Sequence, residues 1–136
     1  MAEGTVVVVG NERIRFTFRR PRLGLVVVQI VGSELDDGAL GSAPMDELGR
    51  DLRRYAPVEI FIDASEAAGA LVPVQEQWAD WFAQNRASIK HVSMLVRGNY
   101  MHFTVELMKF FSRTGDLIRL YLDRAKYDEA LAERER

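Results

Sequence analysis

No cysteine occurs in the 136-residue chain. That excludes disulfides, thiolate nucleophiles and Cys-ligated zinc together. Histidine is nearly as scarce, with only His91 and His102. His102 and Glu106 share a helix face at i and i+4. A zinc centre needs three or four protein ligands, so no metal is expected. There is no Gly-rich phosphate loop, no nucleophile elbow and no Ser-His-Asp set with a local signature. The expectation is a protein that is not an enzyme, with no catalytic residue and no cofactor. No apolar run approaches the ~20 residues of a membrane-spanning helix, so membrane insertion is not expected. The N-terminus lacks the charged n-region and long apolar h-region of a signal peptide, and a cytoplasmic location is expected. Nor is there an excess of positive charge. Eighteen basic residues face twenty acidic ones, for a net charge of -2. A nucleic-acid partner is therefore not expected.

What is present is a globular composition with 48% hydrophobic and 28% charged residues, at a length that suits one domain, 1–136. Thr5 to Val9 is a β-branched run that reads as a strand. After the Gly10-Asn11 turn, Ile14, Phe16 and Phe18 alternate with Arg13, Arg15, Thr17 and Arg19. Period-two alternation predicts a strand with one buried and one solvated face. Pro21 to Gly24 reads as a second turn. Leu25 to Val31 is almost continuously apolar, the mark of a strand covered on both faces.

Helical signals begin after a Gly-, Ser- and Asp-rich loop. Pro44 fits the first turn of a helix behind a Ser42 cap. Met45, Leu48, Leu52 and Tyr55 give that helix one apolar face. Pro57 ends it. Val58 to Asp63 reads as a buried strand ending in an acid, followed by a small-residue segment. Pro73 opens a second helix with Val74, Trp78, Trp81 and Phe82 on its inner side. One tryptophan is expected in the core and the other at its rim. His91 to Val96 is a strand, Tyr100 to Arg113 a helix, Leu117 to Leu122 a strand and Arg124 to Glu133 a final helix. The charged tail from Glu133 to Arg136 is expected to fray.

The order is β-β-β-α-β-α-β-α-β-α. It predicts an α/β fold: a mixed, largely parallel sheet with antiparallel N-terminal strands, flanked by about four helices. The basic clusters Arg19-Arg20-Pro21-Arg22 and Arg50 with Arg53-Arg54 are expected on a solvated surface.

Several segments carry a family resemblance. They are Val58-Glu59-Ile60-Phe61-Ile62-Asp63, Trp78-Ala79-Asp80-Trp81-Phe82 and His91-Val92-Ser93-Met94-Leu95-Val96. Ile118-Arg119-Leu120-Tyr121-Leu122-Asp123, with Tyr127-Asp128-Glu129-Ala130-Leu131, completes the set. Together they resemble the SpoIIAA-like branch of the STAS-type domains over about the last three-fifths of the chain. Their hydrophobic rhythm is also similar to that of the Sec14 (CRAL-TRIO) lipid-carrier fold. The first resemblance implies a non-enzymatic interaction or regulatory module, in some relatives controlled by phosphorylation of a serine in an Asp-Ser-Ser-Gly stretch. The comparable stretch here is Glu66-Ala67-Ala68-Gly69, with alanine at both serine positions. No phosphorylation is expected there, and Ser65 is the nearby candidate.

Ligands of open α/β sheets usually bind beyond the carboxyl ends of the parallel strands. That selects Asp63, Ser65, Arg97, Gly98 and Asn99 as candidates for a ligand or anion, with Asp123 and Arg124 beside them. Asp63 and Asp123 are expected to end neighbouring strands. On the helix over 100–113, His102, Glu106, Lys109 and Arg113 form one polar stripe, and nearly all else is apolar. Met101, Val105 and Met108 are therefore candidates for a partner interface. The functional expectation is a regulatory or scaffold domain that binds another protein, including a second copy of itself as a homodimer. The dimer would form through that helix or through the opening strands. The alternative is a carrier for a small apolar ligand, with a cavity between helices and sheet.

Overall fold

The computed structural model describes residues 6–32, 42–67, 72–97 and 117–135. Its elements are β1 (Val6–Gly10), β2 (Ile14–Arg22), β3 (Leu25–Gly32), α1 (Ala43–Tyr55) and β4 (Val58–Ala67). Then come α2 (Val72–Gln84), a 3-10 turn (Arg86–Ser88), β5 (Ile89–Leu95), β6 (Ile118–Tyr121) and α3 (Arg124–Glu135). The six strands form one sheet in chain order, β1-β2-β3-β4-β5-β6. The β1–β2 and β2–β3 pairings are antiparallel, and the three that follow are parallel. So β2 alone runs against the other five. Among the described residues there are three α-helices. The expected helix over 100–113, with Met101, Val105 and Met108, lies outside the described residues, as do Gly98 and Asn99.

Local chemistry explains the turns. The Asn11 side chain accepts the N–H groups of Arg13 and Ile14 at 2.8 and 3.0 Å, which closes the first hairpin. Gly24 sits at φ 81°, a conformation that glycine adopts without strain, between Arg22 and its partner Leu25. Pro21 does not end β2 as expected. It lies inside the strand, where the pairing slips between Arg19 and Arg22, and such a bulge tolerates the missing donor. Pro44 occupies the first turn of α1, but Ser42 makes no side-chain cap and its hydroxyl donates to the Asp46 carboxylate at 3.1 Å. Ala56 takes an extended ψ of 143° before Pro57, which ends the helix. Tyr55 leaves the buried face of α1 and is exposed.

Strand alternation divides the core into two layers. On one face Phe16, Val28, Ile60 and Val92 pack with Leu48 and Leu52 of α1 and Phe82 of α2. Crossovers of one hand that step in one direction along a sheet place their helices on one side, which puts α1 and α2 together. Rings fill this layer: Trp78 stacks on Phe16 at 6.3 Å and packs on Phe82 at 5.8 Å. Trp78 and Trp81 are both half-buried, so neither is wholly interior.

On the opposite face Leu25, Val27, Phe61 and Leu95 meet Tyr127 of α3. Helix α3 runs to Glu135, so the tail expected to fray is helical to that point. β4 also continues past Asp63 to Ala67, through residues read from sequence as a loop. Tyr127 packs edge-on against Phe61 at 5.7 Å and Tyr121 at 6.0 Å. Its hydroxyl is buried without a hydrogen-bond partner among the described residues. Burial pushes this phenol's pKa up, since an anion there would be poorly solvated.

An unsatisfied buried hydroxyl costs about 1–3 kcal/mol. Tyr127→Phe keeps the ring contacts and removes that group. It is expected to stabilise the protein by about 1 kcal/mol, read as a higher urea midpoint at unchanged m-value.

Candidate functional site

Glu59, Phe61 and Asp63 project from β4 to the face that α3 covers, because alternate strand residues share a side. Helix α3 runs back along β4 and meets each of them in turn. Arg124 reaches Asp63 at 2.8 Å, Tyr127 covers Phe61, and Arg134 reaches Glu59 at 3.2 Å. A thin apolar contact is thus bounded at both ends by charge.

At the carboxyl end of β4, the Asp63 side chain accepts the Ser65 N–H at 3.0 Å and the Ser65 hydroxyl at 2.6 Å. Arg124 donates to Asp63 and, at 2.9 Å, to Ser65 Oγ. Burial alone would raise the Asp63 pKa, but these hydrogen bonds and the Arg124 charge outweigh it and hold the carboxyl below its ordinary value. The two expected anion ligands, Asp63 and Ser65, are brought together but engage each other and α3. Arg97 is exposed just after β5. Asp63 and Asp123 do not end neighbouring strands, because β5 lies between β4 and β6. Asp123 instead caps α3, accepting the Ala125 N–H at 2.8 Å.

The other end of the sheet holds what the sequence reading left as surface. The Glu59 side chain is 5% exposed. It accepts from Arg22 at 2.7 Å and is ion-paired with Arg134 at 3.2 Å, with Lys90 at 3.9 Å. His91 Nε2 lies 3.1 Å from the same carboxylate. A carboxylate can only accept there, so His91 carries its proton on Nε2. Arg22 also donates to the Arg134 carbonyl at 2.7 Å and so closes the C-terminal end of α3. Beside it, Arg20 donates to Asp51 at 2.7 Å and to Glu47 at 2.9 Å. Arg20 and Arg22 are thus working parts of the fold, not a solvated cluster. Periodicity could not reveal this, because their partners lie 27 to 37 residues away in sequence.

Next to these pairs runs an open trough of about 220 Å³ along α1, walled by Val7, Arg20, Arg22, Arg50 and Arg54. A recess of about 300 Å³ reaches Pro57, Glu59 and Lys90 and shares Arg22, Leu23, Gly24 and Tyr55 with the trough as a common wall. Both lie at the amino ends of the parallel strands, opposite the end that the topology rule selects. Among the described residues no group of three or more His, Asp or Glu side chains could hold a metal ion, and no helix is long and apolar enough to cross a membrane.

The mixed sheet with helices on both faces defines an α/β domain, and its architecture has a solved counterpart. The structure is similar to an uncharacterised protein of the DUF3478 family from Shewanella loihica PV-4, whose crystal structure has a SpoIIAA-like fold. The match has a TM-score of 0.59 at 12% sequence identity and covers 93% of this chain and 97% of that one. The chain therefore has a SpoIIAA-like fold. No family model and no curated protein matches the sequence.

Glu59 is the buried member of these ion pairs, while Arg22, Arg134 and Lys90 are 43%, 45% and 60% exposed, so water takes them up when the carboxylate is removed. Glu59→Ala is therefore expected to lower stability by only about 1 kcal/mol and to speed amide exchange across α3 before it does so in β3 and β4. Burial, with the Arg134 and Lys90 charges, holds the His91 pKa below its ordinary value despite Glu59. Protonation therefore costs the folded state more than the unfolded chain. The stability that neutral His91 contributes is complete above about pH 6.5 and is lost as pH falls through the folded-state value. Urea titrations at about pH 7.5 and about pH 5.5 should show this loss in the parent and a smaller one in His91→Gln.

Proposed function

We propose that this chain is a non-catalytic interaction module of the regulatory or scaffold kind, and that it pairs with a second copy of itself through β1. The observation that carries the reading is the composition of that strand. Among the described residues β1 is an edge of the sheet. Every second residue of an edge strand turns its backbone N–H and C=O away from its one neighbour, a template for another strand. Soluble proteins usually protect such an edge with lysine, proline, inward charge or a bulge. β1 reads Val-Val-Val-Val-Gly and has none of these. Val6 and Val8 are 51% and 56% exposed, on the face that α3 covers only farther along the sheet.

A second β1 suits this edge well. Antiparallel pairing about a two-fold axis sets valine against valine and opposes no charge to itself. On that face Arg19, opposite Val6, is already paired with Glu135 at 3.3 Å, and Arg15 stands opposite Gly10 at the end of the strand. Ser65 has no part in the proposal. Its hydroxyl is held by Asp63 and Arg124, and a phosphate there would bring a dianion against Asp63.

Sedimentation of the purified chain at about 100 μM is expected to show a dimer. Val8→Lys should convert it to a monomer whose melting temperature matches the parent's at high dilution and no longer rises with concentration, because Val8 is exposed and adds little to the core. A parent that is monomeric at that concentration overturns the proposal. So does a Val8→Lys variant that stays dimeric while Met101→Glu or Val105→Glu dissociates, which would move the interface to the segment over 100–113.

A further inference from the structure

We infer that the trough beside α1 is a docking site for an extended acidic peptide segment of a partner protein. The trough and the recess that adjoins it together carry five basic side chains, Arg20, Arg22, Arg50, Arg54 and Lys90, against three acidic ones, Glu47, Asp51 and Glu59. The acids are already committed. Arg20 takes Asp51 and Glu47 at 2.7 and 2.9 Å, and Arg22 takes Glu59 at 2.7 Å. What remains is cationic. Arg54 makes no ion pair or hydrogen bond among the described residues. Arg50 reaches only the shared Glu47, at 3.4 Å, and its side chain is 63% exposed. Lys90 stands 3.9 Å from the saturated Glu59. This surplus sits on a molecule whose net charge is -2. It is a local feature, not a reflection of a basic chain.

Spacing selects the form of the ligand. Arg50 and Arg54 are one helical turn apart on one face of α1, about 6 Å between their Cβ atoms. Like charges so placed destabilise the helix slightly, and an anion between them relieves that. Alternate side chains of an extended peptide project to one side about 7 Å apart. Acidic residues at positions i and i+2 therefore match the two arginines. Beyond Arg54 the wall turns apolar, with Tyr55 half-exposed and Leu23 61% exposed. An apolar side chain at i+4 meets them. The pattern recognised is acidic-x-acidic-x-apolar, bound by guanidinium–carboxylate pairs and one apolar contact. The reading does not rest on the β1 pairing, although Val7 of β1 forms part of the wall.

The test uses the peptide acetyl-Glu-Ser-Glu-Ser-Leu-amide and its control with Gln in place of both Glu. Each is titrated to a few millimolar into the 15N-labelled full chain at low salt. The acidic peptide is expected to shift the amide signals of Leu23, Gly24, Arg54 and Tyr55 in a saturable way, and the Gln peptide to bind at least about tenfold more weakly. Raising ionic strength to about 0.3 M should weaken the acidic peptide several-fold, as for exposed charges. The double variant Arg50→Ala, Arg54→Ala should lose the shifts. Arg54 is in no ion pair among the described residues, and Arg50 meets Glu47 only at 3.4 Å with its own side chain 63% exposed, so the melting temperature should stay close to the parent's. Equal binding of the two peptides, shifts that survive in the variant, or no saturable shift at the trough would each overturn the proposal.

Discussion

Glu59 lies at the amino end of β4 with almost no access to water, and three other elements supply the positive charge it needs. Arg22 comes from the end of β2, Lys90 from β5 and Arg134 from the last turn of α3, while His91 of β5 donates a hydrogen bond. A buried carboxylate without such partners would cost several kcal/mol, so these groups cannot leave independently. Helix α3 needs this more than most helices do. Only Tyr127 among its residues is fully buried, with Ala130 and Leu131 partly so. Its place is set by the Glu59 clasp at one end and the Asp63–Arg124 clasp at the other, with Tyr127 between them as an aromatic pin.

The two faces of the sheet are held by different physics. Where α1 and α2 pack, the contact is apolar and ring-filled, and each large buried side chain contributes about 1.5–3 kcal/mol. Where α3 packs, apolar contact is short and charge bounds it. Beyond the reach of α3 the same face is open at β1, where valines meet solvent. The parts of the fold that resist change lie in the ring-filled layer and the two clasps. The parts that can accept another molecule lie at the β1 edge and in the trough on the side of α1.

Much of the architecture was legible in the sequence. The alternation of Ile14, Phe16 and Phe18 with polar residues marked β2 and its buried face. The continuous run from Leu25 to Val31 marked β3 as interior, and it lies third in the sheet with both faces covered. The three-residue rhythm of Met45, Leu48 and Leu52 marked α1. Boundaries were read less well where long-range partners extend an element. β4 continues to Ala67 because Val31 and Gly32 of β3 pair with Glu66 and Ala67. α3 continues to Glu135 because Arg19, Arg22 and Glu59 hold its last turn. Neither partner set is visible from local propensity.

The candidate site divides in the same way. The chemistry of Asp63 and Ser65 was noted, but as free groups beyond a strand end, and the structure ties them to Arg124. The basic clusters were noted too, and then set aside as surface, because a run of arginines carries no record of which acids it faces. By itself the sequence determined the element types among the described residues, the two-faced pattern of their strands and the absence of thiol chemistry. These follow from side-chain period and composition, which act within a few residues. Only the tertiary structure decided which charges neutralise one another and which are left over. That depends on Coulomb and hydrogen-bond contacts over a few ångströms between residues tens of positions apart. Arg22 and Arg54 look alike in the sequence. One is spent on Glu59, and the other stands free in the trough.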